Sequence, residues 1–340
     1  MRSGEIKALT GLRIFAALWV VLFHFRPLLH EAAPAFASAV APLLNAGAQG
    51  VDLFFILSGF VLTWNYLDTM GPSLSLRGTV RFLWLRLARV WPVYLVTLHL
   101  AALWVVFTFY VGHIPTEDTS AFNAVSYIRQ LFMVQLWFQP FFDGSSWDGP
   151  AWSISAEWFA YLCFPLVALG LRCIRNPAML LVVAVASLGT AALIFSLAGW
   201  GLSGAWIAPS ALVRITGSFV CGAALCRYAV LQDALESRSA FNDAAAMAAL
   251  AAFLVLPSFG TPDYVLIALL AMFIACLAMS SGVTARLFAL APMVWLGEIS
   301  YSLYMVHFPV LRALGIVFRP ERLAAMAPLA AAGVYCLCIG

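Results

Sequence analysis

The sequence predicts an all-α integral membrane protein: a bundle of about ten transmembrane helices with a cytoplasmic N-terminus. Three observations carry that expectation. Of 340 residues, 64% are hydrophobic and only 10% charged, whereas soluble domains hold roughly half apolar and a quarter charged residues. Mean hydropathy is +0.96, well beyond what a water-soluble core needs. The apolar residues also come in continuous runs of about 17–25, the length that spans a bilayer as a helix, without the alternation of a β-barrel strand.

Taken in order, the expected spans are about 8–29, 47–67, 90–111, 151–171, 177–199, 208–226, 243–257, 263–281, 298–318 and 323–340. Arg2 and Lys7 precede the first. A signal-peptide reading of this start, with Ala35-Phe36-Ala37 as a formal cleavage site, conflicts with Arg13, His24 and Arg26 in and beside the apolar stretch. The loop before the third span carries Arg77, Arg81, Arg86 and Arg89. Arg172 and Arg175 follow the fourth, Arg227 and Arg238 the sixth, and Arg286 the eighth. With Arg13, twelve of the 18 basic residues then fall on the cytoplasmic side, as the positive-inside rule asks.

Segment 127–142 tests this topology. It is short and holds Arg129, Gln130, Gln135, Gln139 and Pro140. Were it to cross, Arg172, Arg175, Arg227, Arg238 and Arg286 would all move outside, so it reads as an interfacial or re-entrant piece on the outer face. The stretch 112–150 becomes the longest external loop, with Asp143, Gly144, Asp148, Gly149 and Pro150 as turn chemistry. Trp64, Trp84, Trp91 and Tyr94 are expected near the inner interface, and Trp147, Trp152, Trp200 and Trp206 near the outer. Residues 287–296 read as a piece along the inner surface.

The net charge of +3 and the absence of a long basic cluster give no reason to invoke nucleic acid. The seven cysteines, Cys163, Cys173, Cys221, Cys226, Cys276, Cys336 and Cys338, show neither zinc nor disulfide spacing and read as packing residues. No metal site is expected.

Five constellations could carry chemistry. Arg13 and His24 are eleven residues apart, which places both on one face of the first helix, about 16 Å apart along its axis. Ionisable groups inside a span are costly and are functional candidates by default. A desolvated imidazole stays neutral and can accept a proton from an attacking hydroxyl, and Arg13 offers a cation to an anionic donor. The alternative is a satisfied core histidine and an arginine that snorkels to lipid phosphate. On the second span, Gly50–Phe60 carries Asp52 and the small pair Ser58-Gly59, which permits close approach of a helix or a thin ligand. Arg86-x-x-Arg89 before Trp91-Pro92 suits phosphates, or plain positive-inside anchoring. Trp152–Trp158 holds Glu157, either a complement to the helix dipole or part of a sugar-binding mouth with Trp152. On the ninth span, Ser300, Tyr304 and His307 form one polar stripe expected to face the bundle interior.

Together these segments resemble the acyltransferase-3 family of bacterial membrane O-acyltransferases. The match runs from Leu9 to about Pro309 in the family's order: Arg13 with ten residues before His24, Gly50–Phe60, Arg86-x-x-Arg89-Val90-Trp91-Pro92, Trp152–Tyr161 and Ile299–Pro309. The resemblance implies a single acyltransferase-3-like domain of ten helices over residues 1–340. Two departures from the family pattern are the tenth span's end at Gly340, where relatives usually continue into a short tail and which reads as a trimmed C-terminus, and the lack of the fused periplasmic hydrolase-like domain that some relatives have. It implies transfer of an acyl group, acetyl from acetyl-CoA in most relatives, to a hydroxyl of a sugar or glycan, from a bacterial inner membrane. By that resemblance Arg13 and His24 are essential, with Glu157 beside them. Arg86 and Arg89 are expected to hold the coenzyme A phosphates with Ser58 and Gly59 nearby, and Asp52, Trp152, Tyr301 and His307 to face the acceptor. The expected partners are the bilayer, acyl-CoA and the glycan, and a homo-oligomer stays compatible. A transporter or flippase for a lipid-linked sugar is the rival reading, against which no inverted repeat is found. A catalytically dead sensor fits the intact Arg13/His24 pair poorly.

Overall fold

The computed structural model describes residues 4–70, 75–111, 122–137, 147–204, 208–235, 237 and 239–317. Twelve α-helices occur among them: α1 (Lys7–Ala32), α2 (Pro34–Asn45), α3 (Gly50–Tyr66), α4 (Leu76–Val106), α5 (Ala124–Leu131), α6 (Trp152–Cys173), α7 (Pro177–Ala198), α8 (Ala208–Leu231), α9 (Ala240–Val255), α10 (Asp263–Ala278), α11 (Val283–Phe288) and α12 (Ala291–Val317). No strand occurs among the described residues. Seven helical stretches are long and apolar enough to cross a bilayer: Lys7–Ala32, Pro34–Tyr66, Leu76–Phe109, Gly149–Cys173, Pro177–Ala198, Pro209–Leu231 and Ala240–Phe259. The expected span 323–340 lies outside the described residues, as do Asp143, Gly144, Trp206, Arg238, Cys336 and Cys338.

Local chemistry sets several helix ends. The Ser75 hydroxyl accepts the Gly78 N–H at 3.3 Å and starts α4, satisfying one of the donors a helix start leaves over. This helix therefore begins well before the expected position 90 and carries Arg77, Arg81, Arg86 and Arg89 itself. Asn176 caps α7 through the Ala178 N–H at 2.9 Å, with Pro177 as the first helical residue. Gly199 ends α7 in the left-handed region at φ +66°, where glycine carries no Cβ penalty.

The long helices run alternately up and down. The end of the bundle that holds Lys7 is called here the near end, and the end that holds Ala32 the far end. Trp64 at the end of α3 donates to the Gly4 carbonyl at 2.8 Å, and Arg172 at the end of α6 donates to the Leu67 carbonyl at 2.9 Å. Both helices therefore finish at the near end. Two close crossings lock the bundle, one between α3 and α8 and one between α1 and α12 toward the near end. A Cβ on Gly59 of α3 would lie 2.0 Å from the Phe219 carbonyl oxygen of α8, and one on Gly222 of α8 would lie 2.0 Å from that of Ile56. Likewise a Cβ on Gly297 of α12 would lie 1.9 Å from the Thr10 carbonyl oxygen of α1. Backbone contacts this close admit only hydrogen in place of a side chain.

Between α2 and α3 the helix tightens into a 3-10 turn, Ala46–Gln49. Irregular backbone inside a membrane protein needs protein partners, and here Arg214 of α8 supplies one. Its Nη2 donates to the Ala48 carbonyl at 2.6 Å and to Asp52 Oδ2 at 2.6 Å, while Nε donates to both Asp52 oxygens at 3.0 Å. Ser218 completes the cluster by donating to Asp52 Oδ1 at 3.1 Å.

The segment expected to be interfacial or re-entrant forms α5 and a turn through 132–137, and it folds back into the bundle. Gln130 and Gln135 are buried. Tyr94 donates to the Gln130 carbonyl at 2.7 Å, and Trp91 to that of Leu131 at 3.1 Å. Tyr94, expected in an interfacial belt, is instead fully buried. Its hydroxyl is satisfied by the returning segment, so depth costs it no hydrogen bond.

Candidate active site

A cavity of about 420 Å³ enters from the near end. Helix α1 contributes Leu9, Thr10 and Arg13 to its wall; α3 contributes Phe54, Leu57, Ser58 and Val61; α4 contributes Arg86 and Arg89; α6 contributes Glu157 and Tyr161. Glu5 and Glu298 add two carboxylates. Sequence reasoning assigned no role to Glu298 or Tyr161, although Tyr161 ends the Trp152–Tyr161 motif and Glu298 directly precedes Ile299–Pro309.

At the deep end of this cavity Glu157 is held on one side only. Ser58 donates to its Oε1 at 2.9 Å and Tyr161 donates to the same oxygen at 2.6 Å. Oε2 is left over, and Arg13 shares the wall with it. Arg86 donates to the Tyr66 hydroxyl at 2.7 Å, which spends one of its five N–H groups. Three guanidinium groups thus border one cavity, each with donors left for a ligand. Such planar donors match phosphate oxygens in pairs.

A narrower cavity of about 60 Å³ continues from the first, sharing Arg13, Phe54 and Glu157 with it. Its further walls are Val51, Phe55, Ser153, Ile154, Tyr301 and Tyr304. Ser153 and Tyr304 are hydrogen-bonded at 2.7 Å, and Tyr304 also donates to the Pro150 carbonyl at 3.2 Å. Tyr301 donates to the Val90 carbonyl at 3.0 Å. Ser300, Tyr304 and His307 are all buried.

Past Tyr304 stand the two histidines. The ring centroids of Tyr304 and His307 are 5.5 Å apart, and His307 Nε2 lies 3.3 Å from His24 Nδ1. His24 Nδ1 also meets the Val20 carbonyl at 2.9 Å, and His307 Nδ1 meets the Tyr304 carbonyl. A carbonyl oxygen only accepts, so both rings carry their proton on Nδ1. His307 Nε2 then accepts from the His24 Nδ1–H. The Nε2 of His24 makes no hydrogen bond among the described residues and keeps its lone pair. Phe308 faces the His24 ring edge-on with centroids 6.0 Å apart. Beyond His24 along α1, a far-end cleft of about 380 Å³ is lined by Arg26, His30, Glu31 and Asn45 among others.

Other expected site residues fall elsewhere. Gly59 does not line the near-end cavity: it is the contact with α8, and a ligand has no room there. Asp52 does not reach a cavity either, because Arg214 and Ser218 occupy its carboxylate. Trp152 packs over the Arg214 guanidinium, 5.4 Å from it, and against Phe55. Arg214 itself went unremarked in the sequence: a lone arginine in an apolar run signals a buried partner, but its partner lies 162 residues away. At the far end, Asp148 is buried with neither carboxyl oxygen hydrogen-bonded among the described residues. Burial pushes its pKa up to about 7, against the pull of Arg312. Among the described residues no group of His, Cys, Asp or Glu is arranged to hold a metal ion.

Comparison with known proteins bears on this arrangement. The acyltransferase-3 family, described as "Acyltransferase domain", matches residues 6–340. The chain belongs to this family. Acyltransferase MdmB of Streptomyces mycarofaciens is 31% identical over 166 residues, which is 48% of this chain and 40% of that one. A Bacillus subtilis (strain 168) protein named "Putative peptidoglycan O-acetyltransferase YrhL" is 26% identical over 336 residues, 90% of this chain and 48% of the relative. Nodulation protein 10 of Rhizobium leguminosarum bv. viciae is 28% identical over 199 residues, 55% of this chain and 51% of the relative. The acyltransferase-3 chain thus spans about half the length of the curated relatives it matches. No solved structure matches it.

Proposed function

We propose that this acyltransferase-3 chain moves an acyl group from acyl-CoA, supplied at the cytoplasmic side, to a hydroxyl of a sugar or glycan at the outer side of a bacterial inner membrane. In this reading the near end faces the cytoplasm, in keeping with the positive-inside bias of Lys7, Arg172, Arg175, Arg227 and Arg286. The observation that carries it is the row of three arginines and Glu157 along the near-end cavity, continued by the narrow cavity whose lining ends at Tyr304, 5.5 Å ring to ring from His307.

Arg86 and Arg89 grip the coenzyme phosphates at the cavity mouth, and Arg13 takes up the deeper polar groups of the pantetheine arm. The cavity of about 420 Å³ suits that arm, with the nucleotide left at the mouth. Glu157, oriented by Ser58 and Tyr161, offers its remaining oxygen to the arm's amide N–H groups or to Arg13. The acceptor hydroxyl arrives from the far end, past Arg26 and His30. His24 Nε2 removes its proton as the oxygen attacks the thioester carbon. The tetrahedral intermediate collapses, the C–S bond breaks, and the thiolate takes the proton back from the imidazolium, leaving the ester and free coenzyme A. His307 acts through His24: by accepting from Nδ1–H it fixes the tautomer that presents Nε2, and it stabilises the cation that forms. YrhL, named for O-acetyl transfer to peptidoglycan, supports acetyl as the group and a cell-envelope glycan as the acceptor.

The test compares O-acyl groups on cell-envelope glycans by mass spectrometry, in cells with the gene, without it, and complemented with His24→Ala. The expected result is an ester lost with the gene, restored by the wild-type chain and not by the variant. Restoration by His24→Ala at an equal protein level refutes the mechanism, and membranes incubated with labelled acetyl-CoA and candidate glycans that leave all label on coenzyme A favour the transporter.

A further inference from the structure

We infer that the far-end cleft of about 380 Å³ between α1 and α2 is the acceptor site, and that it selects a sugar carrying an anionic group, carboxylate or phosphate, which Arg26 and His30 hold beside His24. This rests on the acyl-transfer reading above and adds to it the chemical class of the acceptor.

Place is the starting point. The α1 wall of the cleft opens with Arg26 and Pro27, in the turn that follows His24, and the facing wall is α2 from Ala37 to Asn45. The Arg26 guanidinium stacks on the Phe23 ring 3.8 Å from its centre, and the same ring meets the His24 imidazole edge-on with centroids 5.1 Å apart. A single aromatic ring therefore separates the cation from the general base of the proposed reaction. One sugar ring with its substituents bridges that span. His24 is half-buried, so its side of α1 is not sealed.

The direction of Arg26 is informative. An arginine near the end of a span relieves its cost by reaching outward to lipid phosphate. This one turns the other way: Nη1 donates to the Phe23 carbonyl, three residues back toward the near end. That bond and the stacking hold the guanidinium plane in place and spend one of its five N–H groups. Arg26 makes no ion pair among the described residues. Its remaining donors form the kind of planar edge that binds carboxylate or phosphate oxygens in pairs. His30 stands one turn further along the same side of α1, exposed and within the cleft.

Glu31 adds a carboxylate in want of a donor. It lines the cleft, and its Oε2 is buried with no hydrogen bond among the described residues, whereas buried acceptors are nearly always satisfied. Glu31 lies about 140° round the helix from Arg26, so cation and carboxylate occupy different sides of the cleft. An acidic sugar meets both demands. Its anionic group takes the donors of Arg26 and His30, and a hydroxyl or amide N–H on the same ring donates to Glu31. A neutral sugar leaves the cation unmatched.

The experiment needs no turnover. The full chain, in phosphatidylcholine nanodiscs at physiological salt, is titrated with three matched probes: a short galacturonic acid oligomer, the same oligomer with its carboxyl groups reduced to neutral galactose, and that neutral oligomer bearing phosphate esters. Both acidic probes should bind roughly 10-fold or more tighter than the neutral one, the worth of one charge-assisted hydrogen bond, and their order tells carboxylate from phosphate. Arg26→Gln should remove most of that preference and His30→Ala part of it. Arg129→Gln, on α5 and outside the cleft, should leave it in place. The inference is overturned if the wild-type profile is flat or no probe binds, which would leave Arg26 to the lipid or the fold. It is equally overturned if the preference survives both cleft substitutions, or if Arg129→Gln lowers it as much as Arg26→Gln does. If Arg26→Gln does not fold, His30→Ala decides alone. Transfer from acetyl-CoA is scored separately: acidic probes that bind in this pattern but never receive an acyl group sink the transfer reading and leave the anion site standing, which keeps the two failures distinct.

Discussion

Replacing Arg214 with Met should destabilise the folded protein by about 3–5 kcal/mol, the usual cost of leaving a buried charge without its partner. The figure follows from the surroundings. Arg214 and Asp52 are 2% and 0% exposed, and three hydrogen bonds of 2.6–3.0 Å join them. Without the guanidinium, Asp52 keeps only the Ser218 hydroxyl. The same substitution strips the 3-10 turn of the donor to Ala48, itself worth about 1–3 kcal/mol. Asp52→Asn in the Arg214→Met background removes the stranded charge but does not restore the charged donor to the Ala48 carbonyl, which keeps only the Gly50 N–H. The double variant should therefore recover part of the loss and remain about 1–3 kcal/mol below wild type. Equilibrium unfolding in mixed micelles, followed by tryptophan fluorescence, measures all three proteins. An Arg214→Met variant within about 1 kcal/mol of wild type would refute the reasoning, and so would a double variant no more stable than the single one.

Further outcomes are expected elsewhere. His24→Ala should lower kcat by about 10²–10⁴-fold without loss of folded protein, measured as thiol release from acetyl-CoA with an accepting glycan. His307→Ala should cut kcat by roughly 10-fold or more and change the shape of the pH–rate profile, while His307→Gln, which can still accept from His24, should restore part of the rate. Arg89→Ala should raise the apparent donor KM with kcat little changed, as loss of ground-state binding does. Asp148 makes stability depend on pH. Its folded pKa of about 7 lies above the ordinary 3.8 because burial disfavours the carboxylate. The folded chain keeps a proton that the unfolded chain releases. Stability is then full below about pH 4, falls by on the order of 4 kcal/mol as pH rises to about 7, and levels off above it. Asp148→Asn should flatten that slope in unfolding curves taken between these limits.

Much of the architecture was legible because a bilayer leaves so few solutions: a long apolar run must be a helix, and its basic flanks order the ends. What escaped notice was short or amphipathic. Pro34–Asn45 has 12 residues and Val283–Phe288 has six, too few to signal a span. The start of α4 was hidden by its arginines, which lower hydropathy without weakening helix propensity. At the site, Arg13, His24, Ser58, Arg86, Arg89 and Glu157 stood out as polar groups in or beside apolar runs. Their pairings did not. Ser58 meets Glu157 across 99 residues and His24 meets His307 across 283, separations for which no local pattern exists. Ser58 and Gly59 show the limit most plainly. They are neighbours in sequence, yet on a helix they point about 100° apart. One faces the cavity and the other a neighbouring helix.

The two glycine crossings have a mechanical consequence. Where backbone rests on backbone, neither helix can slide or roll without collision, because no flexible side chain lies between them to absorb the motion. α1 with α12, and α3 with α8, therefore behave as a stiff chassis. The same pairs carry Arg13, His24, Ser58 and His307, so the groups of the proposed site hold their spacing while anything that opens or closes must be drawn from the other helices and the segments joining them.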